Sequence, residues 1–183
     1  MIVWRRLDMA GHEAAAITQQ RNRWNLSGVA LFVYDSQPCR LDYEIECDGN
    51  WGTRDVSVRG QVGALPVSLV LSRSSDGSWC SNDLPHPALH GCVDIDLGFS
   101  PSTNLLPIRR MKLAIGEHAS VRAAWVRFPD FALEVLDQTY ARVSESTYHY
   151  ESAGGEFSRD LTVDPDGFVI DYPGLWRAET ADV

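Results

Sequence analysis

The stretch from Cys92 to Arg110 reads CVDIDLGFSPSTNLLPIRR and combines a strand pattern, a turn and two adjacent arginines. In its first six residues Cys92, Asp94 and Asp96 alternate with the apolar residues Val93, Ile95 and Leu97. This pattern predicts a β-strand with the two acids on the same face. Charges among apolar residues are costly to desolvate. We therefore expect the two acids and the two arginines to be paired or to face a wet cavity.

The centre of this stretch predicts a turn rather than a long helix. Pro101 ends the strand, and the polar residues at 102–104 offer side chains that can cap a helix. The apolar residues at 105–108 then predict a short helical turn that Pro107 interrupts.

Outward from this stretch, a period of two recurs along most of the chain. Segment 40–47 alternates four apolar or aromatic residues with three acids. A turn at 48–50 leads to a second alternating segment at 51–60, which predicts a hairpin. Segment 12–20 suits a helix or a strand, and we favour a strand. Further strands are predicted at 2–7, 24–34, 65–72, 119–128, 157–163 and 167–171. The predicted fold class is all-β with one or two short helical turns, and the tail after Trp176 is predicted to fray.

The number of predicted strands exceeds what a small barrel needs, since about eight strands already enclose a space that side chains can fill. A wider roll would leave a cavity, whereas the alternative, a sandwich of two sheets, would have a solid core. The chain also matches itself when it is shifted by about a hundred residues, so that Tyr43, Arg54 and Val58 fall on Tyr148, Arg159 and Val163. We therefore predict a single domain over residues 1–183 with an internal duplication of about 24–90 and 119–176.

Composition limits the partners. The formal net charge of −9 argues against non-specific binding to nucleic acid or to an anionic membrane surface, and it favours a neutral or weakly polar partner. The four cysteines are scattered and form no CxxC pair, which indicates reduced thiols. The N-terminus has no long apolar run, so we expect neither a secretion signal nor stable membrane insertion, and the expected location is the cytoplasm.

Motifs for catalysis or metal binding are absent from the sequence. It contains no GxSxG, phosphate-binding loop, dinucleotide fingerprint, HExxH or zinc spacing. The residues His86, His90, Cys92 and Asp94 lie partly in a loop and lack further ligands, so we predict no metal and no cofactor. Asp94 and Asp96 are a candidate pair for glycoside hydrolysis, but neighbours on one strand lie closer together than groups that flank a scissile bond. A salt bridge to Arg109 or Arg110 is the favoured interpretation.

Six tryptophans are distributed along the chain, and most of them are predicted to pack in the core. The segment from Trp51 to Arg54, with sequence WGTR, has the composition of a sugar site, because an aromatic ring stacks on the apolar face of a sugar while polar groups bind its hydroxyls. The alternative is that this cluster only closes a hairpin.

Several motifs together carry a resemblance to a known family: WGTR at 51–54, CVDIDL at 92–97, PSTNLLPIRR at 101–110, AWV at 124–126 with Pro129, and DYPGLW at 171–176. Over nearly its whole length the chain resembles the bacterial family described as "putative glycolipid-binding". The resemblance implies a duplicated spiral β-roll, an incomplete many-stranded barrel around a hydrophobic cavity, similar in shape to periplasmic carriers of lipoproteins. It also implies that the chain binds or carries a glycolipid or another amphiphile.

The resemblance brings no catalytic residues with it, so the candidate binding residues come from their chemistry. They are Trp51, Thr53, Arg54, Asp94, Asp96, Asn104, Arg109, Arg110 and Trp125. In this hypothesis the arginines, Asp94 and Thr53 form the polar end of the cavity, and the two tryptophans form apolar walls. The alternative is an enzyme that acts on a glycolipid or a sugar derivative through Asp94 or Asp96, but the missing nucleophile motif favours binding.

Overall fold

A computed structural model describes residues 1–179, which form fifteen strands, one α-helix and three 3₁₀ turns. The strands of the first half are β1 (Ile2–Arg6), β2 (Gly11–Gln20), β3 (Arg23–Tyr34), β4 (Gln37–Cys47), β5 (Thr53–Val62), β6 (Leu65–Arg73), β7 (Trp79–Ser81) and β8 (Leu84–Pro85). Those of the second half are β9 (Asp94–Leu97), β10 (His118–Val126), β11 (Leu133–Arg142), β12 (Thr147–Ser152), β13 (Phe157–Val163), β14 (Val169–Tyr172) and β15 (Trp176–Ala178). The helix α1 is Leu105–Met111, and the 3₁₀ turns are Pro87–Leu89, Ser102–Asn104 and Ala153–Gly155.

All fifteen strands belong to one sheet, in the order β8-β7-β6-β5-β4-β3-β2-β1-β15-β14-β13-β12-β11-β10-β9. Neighbours pair antiparallel except β9 and β10, which are parallel. The two halves meet in the middle of the sheet, where Trp4 of β1 lies opposite Ala178 of β15. The all-β prediction is confirmed, and the sheet is open rather than closed into a barrel.

The sheet rolls up because its two edges must approach each other. Only the segment 86–93 joins β8 at one edge to β9 at the other, a chain length that spans at most about 30 Å. The start of β9 rests against the first half of the sheet: Thr53 of β5 donates its backbone N–H to Val93 O at 3.1 Å, and Trp79 of β7 donates its indole N–H to Cys92 O at 3.0 Å. The β9 edge is thereby turned inward.

Burial on both faces of β9 follows from this position. Ile95 and Leu97 are buried on one face, as the alternating pattern predicts, and Asp94 is buried on the other. Asp94 and Asp96 pair in register with alternate residues of β10, which confirms that the two acids share a face.

Helix α1 fills the concave side of the roll with apolar residues. Leu105, Leu106 and Ile108 are buried, and Lys112 ends the helix in a left-handed conformation with φ 50°. Pro107 does not interrupt the helix as predicted, because it lies in the first turn, where a backbone N–H has no helical partner in any case.

Three sequence-based interpretations can be compared with the strand pairing. Segment 12–20 lies within β2, so the choice of strand over helix is confirmed. The predicted fraying after Trp176 is wrong for residues 177 and 178, which belong to β15 between β1 and β14, and residues 180–183 lie outside the described residues. The duplication stays a prediction, and the register differs between the matched hairpins, since Tyr43 pairs with Val58 but Tyr148 pairs with Leu161.

Candidate functional site

Asp94, which is buried, and Arg110, which is half-buried, form a bidentate ion pair between β9 and α1. Arg110 donates from Nε to Asp94 Oδ1 at 3.0 Å and from Nη2 to Oδ2 at 2.6 Å. Burial raises the pKa of the Asp94 carboxyl, and the hydrogen bonds and charge of Arg110 oppose that rise. Both oxygens of this carboxylate are therefore engaged in holding the helix to the strand.

The other acid of the pair, Asp96, accepts a hydrogen bond from Gln138 Nε2 of β11 at 2.6 Å. Burial raises the pKa of Asp96 to about 6, against the hydrogen bond from Gln138, which lowers it. Nearby, Asn104 Oδ1 accepts a hydrogen bond from the Tyr140 hydroxyl at 2.9 Å, and the Asn104 side chain does not cap α1. This polar network lines the inner face of the second half.

The helix places its two consecutive arginines at different sites, because successive helical residues are rotated by about 100°. Arg110 contacts Asp94, whereas Arg109 lies with its guanidinium carbon 5.2 Å from the ring centre of Trp51. Trp51 in turn stacks on Trp24, with ring centres 4.4 Å apart and planes 19° apart. Arg109, Trp51 and Trp24 form a layered cation and aromatic arrangement at one end of the roll.

This layered arrangement borders a pocket of about 740 Å³. Its lining joins elements far apart in sequence: the tryptophans of the first half, the last turn of α1, the β11–β12 turn, and the β13–β14 turn. The lining residues are Trp24, Trp51, Ile108, Arg109, Lys112, Arg142, Glu145, Ser146, Tyr148, Val163, Asp164, Pro165 and Gly167. We call this the Trp51 pocket.

The remaining predicted site residues have other roles in the described part of the chain. Thr53 is fully buried, and its hydroxyl oxygen accepts the backbone N–H of Ile95 at 3.2 Å, which ties β5 to β9. Arg54 is the extra residue of a β-bulge, since its two neighbours pair with consecutive residues of β4. Trp125 is half-buried on β10 beside Asp96. None of these three lines the Trp51 pocket, so of the nine candidates the structure brings Trp51 and Arg109 together there.

A buried acid that the sequence analysis did not single out lies in β2. Glu13 Oε1 accepts hydrogen bonds from Tyr43 Oη at 2.6 Å and from Ser100 Oγ at 2.5 Å, and Ser102 Oγ lies 2.8 Å from Tyr43 Oη. Burial raises the pKa of Glu13 to about 7, in spite of these hydrogen bonds, which lower it. The cluster anchors the loop before α1 to the first half of the sheet. Period two could have found it, since Glu13 shares a strand face with the apolar Ala15, and both are buried.

A larger surface groove, of about 1020 Å³, crosses the outer face of β2 to β6. Outward-facing polar side chains such as Asn25, Glu44 and Asp55 line it, and Trp24 borders both this groove and the Trp51 pocket. Asn25 donates to Glu44 at 2.9 Å across the groove floor. Two cations, Arg21 and Arg23, also line the groove, but acids outnumber them there, whereas cations outnumber acids in the lining of the Trp51 pocket.

Within residues 1–179, no group of three or more His, Cys, Asp and Glu side chains is placed to hold a metal ion. No helix in this range has the length and apolar character that would carry it across a membrane.

The fold and the pocket define an all-β protein built as one open, rolled sheet with a mixed aromatic and cationic pocket beside its short helix. The chain belongs to the family described as "Putative glycolipid-binding", which matches residues 1–178. It is similar to a solved structure, a DUF1089 family protein from Pseudomonas aeruginosa, with 32% sequence identity and a TM-score of 0.80 over 90% of this chain and 91% of that chain. Functionally curated proteins gave no match.

Proposed function

We propose that this protein binds a glycolipid or a similar amphiphile, and that the head group occupies the Trp51 pocket. The observation that carries the proposal is the layer of Arg109, Trp51 and Trp24 at the wall of a pocket that also reaches apolar residues of the interior. Membership of the glycolipid-binding family supports the same class of ligand.

The pocket offers the two kinds of contact that an amphiphile needs. Because Trp24 and Arg109 cover the Trp51 ring, indole edges pack on the C–H groups of a sugar, while guanidinium and ammonium groups donate hydrogen bonds to its oxygens. Ile108 of α1 and Val163 of β13 supply apolar surface for the first carbons of an acyl chain. The volume, about 740 Å³, falls within the range of roughly 300 to 1,000 Å³ that is usual for small-molecule sites.

The position of α1 sets the path of a longer chain. Ile108 lies on the helix and Val163 on the sheet, so the boundary between α1 and the second half of the roll borders the pocket. In our proposal the tail of the lipid enters along this boundary. A carrier role would require the lipid to leave by the same route.

Isothermal titration calorimetry with a short-chain alkyl glucoside, a glycolipid and a plain fatty acid tests the proposal. We expect saturable binding of the first two ligands, weakened about tenfold or more by Trp51→Ala and by Arg109→Ala, which corresponds to about 1.4 kcal/mol. Arg122→Ala is the matched control, because Arg122 lies on β10, exposed and paired with Asp137. Absence of binding for every lipid, or binding that neither pocket variant changes, would show that the proposal is wrong.

A further inference from the structure

Arg109, which lines the Trp51 pocket, has a buried hydrogen-bond donor without an acceptor among the described residues. Arg109 Nε is inaccessible to solvent and has no partner among the described residues. The nearest carboxylate to its guanidinium is that of Asp166, at 3.7 Å from Nη2, and this side chain is 66% exposed. An exposed contact of that length contributes little, so Arg109 carries a positive charge that the protein itself compensates only weakly.

A second cation, Arg142, is held in place without a carboxylate. Its three nitrogens donate to the backbone carbonyls of Leu113 at 2.8 Å, Ser144 at 3.2 Å and Glu145 at 2.9 Å. Because a guanidinium has about five N–H donors, some remain available to a ligand. The carbonyls and the Tyr148 ring, 5.7 Å from the guanidinium carbon, hold the side chain in place but supply no negative charge.

The third cation is Lys112, the residue at the end of α1. Its backbone is left-handed, with φ 50°, a conformation that non-glycine residues adopt infrequently. The pocket lining thus has three cations, Arg109, Lys112 and Arg142, against two acids, Glu145 and Asp164. One of these acids, Asp164, already accepts the backbone N–H of Phe168 at 2.9 Å in its own turn.

We infer that the Trp51 pocket selects an amphiphile whose head group carries an oxyanion, such as a phosphate, a sulfate or the carboxylate of an acidic sugar. This inference rests on the proposed function and names the class of head group. The oxyanion accepts hydrogen bonds from Arg109 and from Lys112, and its charge is balanced by the guanidinium of Arg142. Because the whole chain has a formal charge of −9, this cluster of three cations also directs an anionic head group to this place and away from the rest of the surface.

The test compares octyl phosphate, octyl β-glucoside and inorganic phosphate by isothermal titration calorimetry on the full chain. We expect octyl phosphate to bind about tenfold more tightly than octyl β-glucoside, and this preference to shrink as the salt concentration rises. Lys112→Gln should reduce the affinity for octyl phosphate about fivefold and leave that for octyl β-glucoside nearly unchanged. The control is Arg122→Gln, which removes one positive charge outside the pocket and should leave the preference intact.

The outcomes separate the two proposals. Equal affinity for both octyl compounds in the wild type would overturn the oxyanion inference and leave the proposed function standing. Binding of neither compound would overturn the proposed function. Inorganic phosphate that binds as tightly as octyl phosphate would show a site for the free ion and overturn selection of an amphiphile.

Discussion

Arg110 holds Asp94 through both carboxylate oxygens, while its neighbour Arg109 lies over Trp51. The sequence predicted a salt bridge from Asp94 to one of the two arginines, and helical geometry decides which one makes it. The ion pair connects α1, which fills the roll, to β9, the sheet edge that is turned inward. Its integrity should therefore determine whether the helix stays docked.

We expect Arg110→Ala to lower the free energy of unfolding by about 3 kcal/mol, because it leaves the buried Asp94 carboxylate without its cation. Adding Asp94→Asn to Arg110→Ala should recover part of that loss, since the uncompensated charge is then absent. Urea unfolding measures both effects. Arg122→Ala, which removes an exposed ion pair, should lower the free energy of unfolding by less than about 1 kcal/mol. Equal losses of unfolding free energy in Arg110→Ala and Arg122→Ala would contradict this role for Arg110.

The buried Glu13 should make stability depend on pH near neutrality. Its pKa is 4.5 in the reference state and about 7 in the folded protein, so the folded chain keeps the proton that the unfolded chain has released. The resulting stabilisation is complete below pH 4.5 and is lost as the pH rises through about 7. A pKa difference of this size corresponds to about 3 kcal/mol.

Glu13→Gln should therefore flatten the curve of unfolding free energy against pH in the range between 4.5 and about 7. Urea unfolding across that range measures the slope, and Glu44→Gln, which changes an exposed acid on the outer face of β4, is the control. Below about pH 6 Asp96 contributes a loss of the same sign, and above pH 6.5 His149, whose pKa is raised by its hydrogen bond to Asp160, does so too. The difference in slope between wild type and variant above about pH 6 is therefore diagnostic for Glu13. A variant that keeps the wild-type slope there would refute the assignment.

Local patterns predicted the sheet well because strand periodicity is a property of neighbouring residues. The alternation at 40–47 gives the buried face of β4, with Leu41 and Ile45 fully buried, and the alternation at 92–97 gives the shared face of Asp94 and Asp96. β15 was missed because it has only three residues, and one of its two partners, β1, lies almost the whole chain length away. No local signal reports such a contact.

The Trp51 pocket was predicted only in part for the same reason. Trp51 and Arg109 were identified by their chemistry, but Trp24, Lys112 and Arg142 come from β3, the end of α1 and β11, and only the rolled sheet brings them together. Thr53 and Asn104 have the polarity of binding residues, yet their hydrogen bonds go to Ile95 and Tyr140 within the protein. Composition cannot distinguish a polar group that serves the fold from one that serves a ligand.

The four thiols, which are free in the structure, should differ sharply in reactivity. Cys39, Cys47 and Cys92 are buried, and Cys80 is half-buried. Burial raises the pKa of Cys47 to about 12 and also raises that of Cys92, which depletes the reactive thiolate. Titration with a thiol reagent should show one fast group in the native protein, absent from Cys80→Ser, and four groups under denaturing, non-reducing conditions. Two or fewer groups after denaturation would indicate a disulfide.

The stacked pair of Trp24 and Trp51 should give a spectroscopic signal that reports on the pocket. Two indoles with centres 4.4 Å apart and planes 19° apart interact through their transition dipoles, so we expect an exciton couplet in the far-ultraviolet circular dichroism spectrum. Trp24→Phe and Trp51→Phe should each abolish the couplet, because either change removes one of the two indoles, whereas Trp125→Phe should retain it. A couplet that survives in both Trp24→Phe and Trp51→Phe would show that the two rings are not stacked in solution.

Trp51 has a left-handed backbone, with φ 70°, that the stack and the overlying Arg109 help to maintain. Trp51→Ala should therefore lower the unfolding free energy by about 3 kcal/mol in urea unfolding.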